Sequence, residues 1–548
     1  MNLDLRGSFS WPSVFAVLFF AIPLLLFYSY PSSFWANTDY QPLGLADALN
    51  LAYRIADRQM YFAKGMTDHP GVPFYFMSWL ALALTGYPVA SEGPGFLDTV
   101  IAHVETYYWI TVWLGALVGS TGVYILTRTA RNLVPTEVVA IGLLIWLVST
   151  PATLLVFLHP SIDTFAIAIN GLFFAILVRL AYDRDISPSV TTLSACVGAF
   201  AYLNKLSYIY IPLALAVAGI ANLAFRKAGW VRGSLLSALF VFSFLLVIVA
   251  TGFLIIRWDG FDELLRFHKT VIRGSGLYGT GDQVVVDSAA IWRAVAGIWA
   301  DRTYAVVIAL VGGIGLVVGG LATGLKRPQH VPVAVIGIGT GVASILSAIF
   351  VMKHYLQHYT AGVSATLPAS AVGCYLVAKS WSYNFRIART ALAATAILLM
   401  ADQARRRLIP ALAASTNTSQ LAKTDLQEIP AYVAGSKGTV EFAYRTPFAW
   451  YGEGFVVVFA SVPRLTDDYL QTRVGTISSM TAGLVNRDIG AYVIDKGYFP
   501  TVESIKAAPN VALLGPKLVA FNEGDKLIEL RTVFLLIPRL IVRKSEAD

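Results

Sequence analysis

The residues of this sequence that could do chemistry are charged side chains at the ends of long apolar segments. An ionisable group at the centre of a membrane span costs roughly 2.5 kcal/mol or more, so such residues need a partner or a function. Acids and bases gathered on one face suggest a cavity that holds an anionic lipid headgroup and does acid–base chemistry. The alternative is that each is a simple interfacial anchor. The candidates are Asp39, Asp68, His69, His159, Asp163, Lys205, Lys353, His354 and His358.

Apolar helices must position these residues, because 56% of the chain is hydrophobic and only 14% is charged. A soluble globule of this composition would expose large apolar patches, so we predict a polytopic α-helical membrane protein with about 11 spans. The predicted spans are 11–30, 107–127, 136–157, 164–180, 190–203, 207–224, 234–256, 304–325, 331–352, 359–377 and 388–400.

Lys and Arg alternate between the short loops in a way that predicts orientation, since they favour the cytoplasmic side. The first span is too long for a signal peptide, which places the N-terminus inside. The opposite short loops carry only Lys205 and Lys353, so these two face the periplasm or exterior of a cell (inner) membrane. Val72–Leu84 is too short to span and is predicted to be an interfacial or re-entrant helix.

Residues 1–402 therefore form the predicted transmembrane domain, with long outer loops at 31–106 and 257–301. Residues 403–548 are predicted to form a soluble, periplasmic α/β domain, with Val533–Ile537 too short to span. Its other predicted elements are strands at 454–460, 490–494, 511–514 and 517–521 and helices at 466–473 and 501–507.

Two common ligand classes find little support. The run Gly274, Gly276, Gly279 matches the spacing of a dinucleotide-binding loop, but it lies between two predicted spans on the non-cytoplasmic side. The net charge of +8 belongs mostly to the inner loops, and no stripe of basic and aromatic residues indicates nucleic acid.

The order of four elements resembles the GT-C glycosyltransferases that use polyprenyl-phosphate-linked sugars. The similarity is strongest to the bacterial relatives of protein O-mannosyltransferases and to the lipid A aminoarabinose transferase. The elements are Asp39 after the first span, Asp68-His69-Pro70 before an apolar helix, Tyr202–Leu206 in mid-chain, and Lys353-His354-Tyr355 ahead of the span with Pro368. The resemblance covers residues 1–400 and implies a GT-C fold and sugar transfer.

The sequence departs from the family at Gly71, which replaces the second proline of His-Pro-Pro. Some members of the family hold a divalent metal with acids of the first loop and of the loop between spans three and four. Asp39 and Asp163 could imitate that pair, but the Asp-x-Asp pattern is missing, so we predict neither a metal nor another cofactor.

Sugar transfer from a polyprenyl phosphate needs a base on the acceptor hydroxyl and cations around the leaving phosphate. We assign Asp39 as the base, and Lys205, Lys353 and Arg273 to the phosphate. One displacement would invert the anomeric carbon; a double displacement would need a second carboxylate, for which Asp68 is the candidate. The substrate-binding set is completed by His69, His354 and Tyr355.

The sequence thus predicts a hexosyl- or pentosyltransferase whose partners are a polyprenyl-phosphate-linked sugar donor, membrane lipids, and a glycan, lipid or protein acceptor. Two alternatives stay open. A lipid-linked oligosaccharide ligase or polymerase would use a related substrate in a different reaction. A membrane transporter would also place charges at membrane depth, but no inverted repeat is apparent between the two halves of the chain.

Overall fold

The computed structural model of the protein is mostly helical, with a small sheet near the C-terminus. It describes residues 10–29, 72–84, 104–150, 152–153, 162–251, 265, 269, 273, 288–353, 355, 359–381, 393–394, 396–398, 401–403, 405–406, 409–433, 439–442, 477–478, 489–496, 499–511 and 520–539.

The helices follow the apolar segments of the sequence. The first eight are α1 (Trp11–Ser29), α2 (Val72–Leu84), α3 (Val104–Ala130), α4 (Thr136–Val148), α5 (Ala166–Tyr182), α6 (Pro188–Asn204), α7 (Tyr210–Phe225) and α8 (Trp230–Thr251). The others are α9 (Ser288–Asp301), α10 (Tyr304–Lys326), α11 (Val331–Lys353), α12 (Thr360–Ser364), α13 (Leu367–Ser380), α14 (Ile409–Val433) and α15 (Val502–Ala507).

Seven helices of the described ranges are long and apolar enough to cross a membrane, and α1 and α4 contribute shorter apolar stretches. The multi-span helical class is therefore confirmed, whereas the count of 11 spans stays a prediction. Val72–Leu84 is a helix of 13 residues with the predicted bounds. The last predicted span, 388–400, lies largely outside the described residues.

Small residues let α10 and α11 pack closely. A side chain on Gly341 of α11 would bring its Cβ to 2.7 Å from the carbonyl oxygen of Gly313 in α10, a distance that real Cβ atoms do not reach. Close backbone approach at small residues is a usual way for membrane helices to associate, because lipid is as apolar as the side chains.

The chain divides into two compact units, and each is described by itself. The first comprises Met1–Leu26, Lys64–Phe74 and Val112–Leu408, and the second comprises Phe27–Ala63, Tyr75–Thr111 and Ile409–Asp548. The predicted domain boundary after residue 402 was argued from composition and stays a prediction.

The second unit contains a five-stranded mixed sheet. Its strands are β1 (Thr439–Phe442), β2 (Ile477–Ser478), β3 (Ile489–Asp495), β4 (Lys526–Glu529) and β5 (Val533–Ile537). Their order is β2-β1-β3-β5-β4, with parallel pairing among the first three and antiparallel pairing of β5 with both its neighbours. The register pairs Val493 with Leu535, and both side chains are buried in one apolar cluster.

Asp425 ties α14 to the turn between β4 and β5. Its carboxylate, fully buried, accepts hydrogen bonds from the backbone N–H and hydroxyl of Thr532 and from the backbone N–H and guanidinium of Arg531. Hydrogen bonds to Glu428 and Asp425 raise the pKa of Arg531 above its ordinary value, so this cation stays charged at any working pH. The sequence interpretation did not find this contact.

Several predictions for the tail are confirmed. Val533–Ile537 is a strand, residues 490–494 lie within β3, and Thr501 caps α15 through a reciprocal capping box with Ser504. The predicted elements at 454–460 and 466–473 lie outside the described residues, as do most residues of 511–514 and 517–521.

Candidate functional site

A buried ion pair lies where two helices of the first unit meet. Asp163 belongs to a short 3-10 turn, Ile162–Phe165, that leads into α5, and Lys205 directly follows α6. The Lys205 Nζ lies 2.6 Å from Oδ2 of Asp163, and each side chain is only 4% exposed. Lys205 is the lone basic residue of its short loop in the sequence, and the structure shows that its charge is matched by Asp163.

Local sequence explains why Lys205 occupies this position. Pro188 opens α6, and the Ser187 hydroxyl caps it by accepting a hydrogen bond from the backbone N–H of Val190. The helix ends at Asn204 because Lys205 is extended, with φ −156° and ψ 135°. The chain then enters the 3-10 turn Leu206–Ile209, which continues directly into α7.

Aromatic residues complete the surroundings of the pair. The Tyr208 hydroxyl donates a hydrogen bond of 2.8 Å to Oδ1 of Asp163, so both carboxylate oxygens have a partner. The ring of Tyr359 has its centroid 4.3 Å from the Lys205 Nζ, within the range of a cation–π contact. Tyr359 follows the Lys353–Tyr355 element along the chain. Its contact with Lys205 therefore places Lys205 beside the segment that carries Lys353, another predicted phosphate ligand.

A second layer of polar contacts fixes the turns that carry the pair. Asn204 donates from Nδ2 to the carbonyl oxygen of Ile162 at 2.8 Å, which joins the Lys205 turn to the Asp163 turn. Tyr208 packs on Gly362 of α12, where any Cβ would come within 2.8 Å of the ring. Asn170 of α5 donates to the Tyr210 hydroxyl at 3.0 Å. Because these contacts hold the turns around Lys205 in place, the lysine needs little reorganisation to bind a ligand.

The C-terminal end of α11 forms a second group. Lys353 is half-buried in the last turn of this helix, where the helix dipole favours a cation. Two residues later, the Tyr355 hydroxyl donates to Oδ2 of Asp301 at 3.0 Å and lies 2.9 Å from the Thr303 hydroxyl. These partners belong to α9 and to the loop after it, so Tyr355 connects the long loop 257–301 to the end of α11.

The structure describes only part of the predicted site. Lys205, Lys353 and Tyr355 lie in the two groups above, and Arg273 is described as exposed. Residues outside the described part of the chain are Asp39, Asp68, His69 and His354.

Several contact residues were missed by the sequence interpretation. Tyr208 and Tyr359 were not considered, although Tyr208 follows Lys205 by only three residues in Leu-Ser-Tyr-Ile-Tyr. The available signal was a tyrosine three residues after a lone lysine. Asp163 was noted as an acid of the same face but was weighed only as a metal ligand. Among the described residues, no group of three or more His, Cys, Asp or Glu side chains could hold a metal ion. The absence of a metal stays a prediction.

This arrangement favours the binding of an anion. The Asp163–Lys205 pair is neutral as a unit, and Nζ carries three hydrogens of which the carboxylate uses one. Lys353 supplies an additional positive charge at the end of α11. The described part of the site therefore offers cations and a phenol, which suit an oxyanion.

Comparison with known proteins finds similarity in structure but not in sequence. No family model and no curated protein matches the sequence. The structure is similar to the crystal structure of ArnT from Cupriavidus metallidurans bound to undecaprenyl phosphate, with a TM-score of 0.50 and 13% identity, over 97% of this chain and 98% of that one. ArnT in the apo state gives a TM-score of 0.47 at 14% identity, over 97% and 99% of the two chains. The chain therefore has an ArnT-like GT-C fold, as the sequence resemblance implied.

Proposed function

We propose that the protein is an integral-membrane glycosyltransferase that moves a monosaccharide from a polyprenyl-phosphate carrier to a hydroxyl group of an acceptor. The observation that carries this proposal is the fold, which matches ArnT bound to undecaprenyl phosphate along 97% of the chain. The buried Asp163–Lys205 pair adds support, since burying two charges carries a desolvation penalty that their attraction often does not repay, so stability alone does not explain the pair.

The reaction requires one bond to form while another breaks. The acceptor oxygen attacks the anomeric carbon, the bond from that carbon to the phosphate oxygen breaks, and polyprenyl phosphate leaves with the electron pair. We propose that the Asp39 carboxylate takes the acceptor proton and that His69 contacts the substrate. A single displacement of this kind inverts the anomeric carbon, and Asp68 would act only in a double displacement.

The phosphate is proposed to lie near Lys205 and Lys353. Asp163, Tyr208 and Tyr359 hold the Lys205 ammonium in one place, and its remaining hydrogens can meet a phosphate oxygen. Lys353, at the end of α11, supplies the charge that the neutral pair lacks. Fixed cations stabilise the leaving phosphate because they need no rearrangement as negative charge develops. Arg273, His354 and Tyr355 are proposed as further substrate contacts.

Orientation and acceptor class complete the proposal. The alternation of basic loops supports a bacterial inner-membrane protein with this site facing the periplasm. The acceptor is a glycan, a lipid or a protein, and the transferred sugar is a hexose or a pentose.

A donor-class assay tests the proposal. The protein is reconstituted in liposomes with radiolabelled sugar on polyprenyl phosphate or on polyprenyl diphosphate, together with a cell-envelope extract as acceptor. We expect label to move to the acceptor from the monophosphate donor alone, with loss of transfer in the Asp39→Asn variant. Consumption of only the diphosphate-linked donor would identify a ligase or polymerase and would contradict the proposal. Transport of the intact donor across the membrane without transfer would do so as well.

A further inference from the structure

Helix α9 has one face that is buried in the protein and an opposite face that exposes two tryptophans. Ala294 and Ile298 are buried, at 1% and 4% exposure, and Ile298 packs in a core cluster with Val306 of α10 and Val351 of α11. On the opposite face, Trp292 and Trp299 are 72% and 69% exposed. Seven residues separate them, so they lie on one stripe about 10 Å apart along the helix axis.

The end of α9 is fixed close to a membrane-spanning helix. After Asp301, Arg302 adopts a positive φ of 52°, and α10 begins at Tyr304. The turn is tied down on two sides, since the Arg302 guanidinium contacts Asp402 at 3.1 Å and the Arg302 carbonyl oxygen accepts from Gln403. Because α10 is long and apolar enough to cross a membrane, a bilayer crossed by α10 would begin near the C-terminal end of α9.

Exposed tryptophans at that level have a preferred environment. The indole ring is large and apolar with one N–H group, and it concentrates at the interface between headgroups and acyl chains. A helix with one buried face and a tryptophan stripe beside exposed Arg293 has the pattern of a helix that lies in the interface plane. If this face of α9 pointed into water instead, the two large indole rings would stay exposed to solvent.

We propose that α9 docks on the phospholipid interface through Trp292 and Trp299, with its axis close to the membrane plane. Its buried face packs against the protein, and at its C-terminal end Asp301 and Thr303 form hydrogen bonds with Tyr355. The lipid surface thereby fixes the depth of the loop that carries α9. This inference concerns membrane lipids as the partner and stands whether or not the chain transfers sugar.

Site-directed fluorescence quenching tests the proposal in the full-length protein. The native thiols are removed by Cys196→Ser and Cys374→Ser, and single Trp292→Cys, Ala296→Cys and Trp299→Cys variants are labelled with an environment-sensitive dye in phospholipid liposomes. Ala296 is exposed, and its position on the helix places it on the same face. Because the Ala296→Cys variant removes no large side chain, it still reports the depth of α9 if the tryptophan variants fail to fold. Quenchers are lipids with a nitroxide near the headgroup, lipids with a nitroxide at the chain end, and aqueous iodide.

We expect all three positions to be quenched at least about twofold more by the shallow nitroxide than by the deep one, since interfacial helices sit roughly 5–10 Å deep. Two variants calibrate the readout. Phe242→Cys, on the exposed side of α8, should respond mainly to the deep nitroxide, and Lys506→Cys, exposed on α15, mainly to iodide. Iodide quenching like that of Lys506→Cys would show that α9 faces water and would overturn the proposal. Protection from all three quenchers would show a protein contact and would also overturn it.

Discussion

The buried pair of Asp163 and Lys205 makes a quantitative prediction about stability. Replacing one partner leaves the other as an uncompensated charge in a nearly solvent-free position, since each side chain is 4% exposed. Breaking a buried ion pair in this way typically costs about 3–5 kcal/mol. We therefore expect Asp163→Asn and Lys205→Met each to lower the free energy of unfolding by about that amount.

The double variant should behave differently. Replacing both charges removes the attraction together with the desolvation penalty, and such replacements are often close to neutral. The Asp163→Asn/Lys205→Met protein should therefore be no less stable than either single variant, whereas additive effects would predict a loss of roughly 6–10 kcal/mol. Tyr208→Phe, which removes one hydrogen bond to the carboxylate, should cost about 1.5–3 kcal/mol.

Reversible unfolding in mixed micelles with increasing SDS, followed by circular dichroism, measures these differences. Lys326→Met is the matched control, because Lys326 ends α10 much as Lys205 follows α6, but it is exposed, with its Nζ 5.9 Å from the centroid of the Trp381 ring. We expect the control to cost no more than about 1 kcal/mol. Two single variants that each lose less than the control, or a double variant that loses their sum, would refute the assignment of a coupled buried pair.

Three further predictions follow from other parts of the molecule. Asp39→Asn keeps the size of the side chain but cannot accept a proton, so sugar transfer should fall by at least about 10²-fold while donor binding survives; near-normal turnover, with an inactive Asp68→Asn, would move the role of the base to Asp68. Single cysteines in the two outer loops and the tail should react with an impermeant reagent added outside, and labelling of the loops alone would place the tail inside; the positions are Ser91, Ser275 and Ser436. Asp425→Ala leaves the buried Thr532 N–H and hydroxyl without their acceptor, so limited proteolysis should cleave the second unit faster by an amount equivalent to roughly 2–3 kcal/mol, and wild-type resistance would show that Asp425 does not hold α14 in place.

Local elements of this fold could be predicted well from the sequence. Val533–Ile537 is a run of five apolar residues that ends before Pro538, and it forms a fully buried strand. The sequence predicts a helix at residues 501–507, and α15 begins there because the Thr501 hydroxyl accepts from a backbone N–H of the first turn. Both predictions depend on residues that are neighbours along the chain.

Contacts between distant segments could not be predicted in the same way. Asp163 and Lys205 are 42 residues apart, and their pairing depends on how α5 and α6 end beside each other. The same is true of Asp425 and Thr532, which are 107 residues apart. Hydropathy and loop charge predict on which side of the membrane each end of a helix lies, but they do not predict which helices are neighbours. For this reason the sequence singled out Lys205 as a candidate and missed its partner.

The position of the bound carrier tests the central claim most directly. A structure of the full chain in nanodiscs with undecaprenyl phosphate would locate the phosphate without reference to the sugar or the acceptor. We predict phosphate density within hydrogen-bond reach of the Lys205 or Lys353 Nζ, and a weaker affinity for the carrier in Lys353→Met and in the stable Asp163→Asn/Lys205→Met variant. Phosphate density that contacts neither lysine, with wild-type affinity in both variants, would contradict the assignment of this surface as the site of a polyprenyl-phosphate-dependent glycosyltransferase.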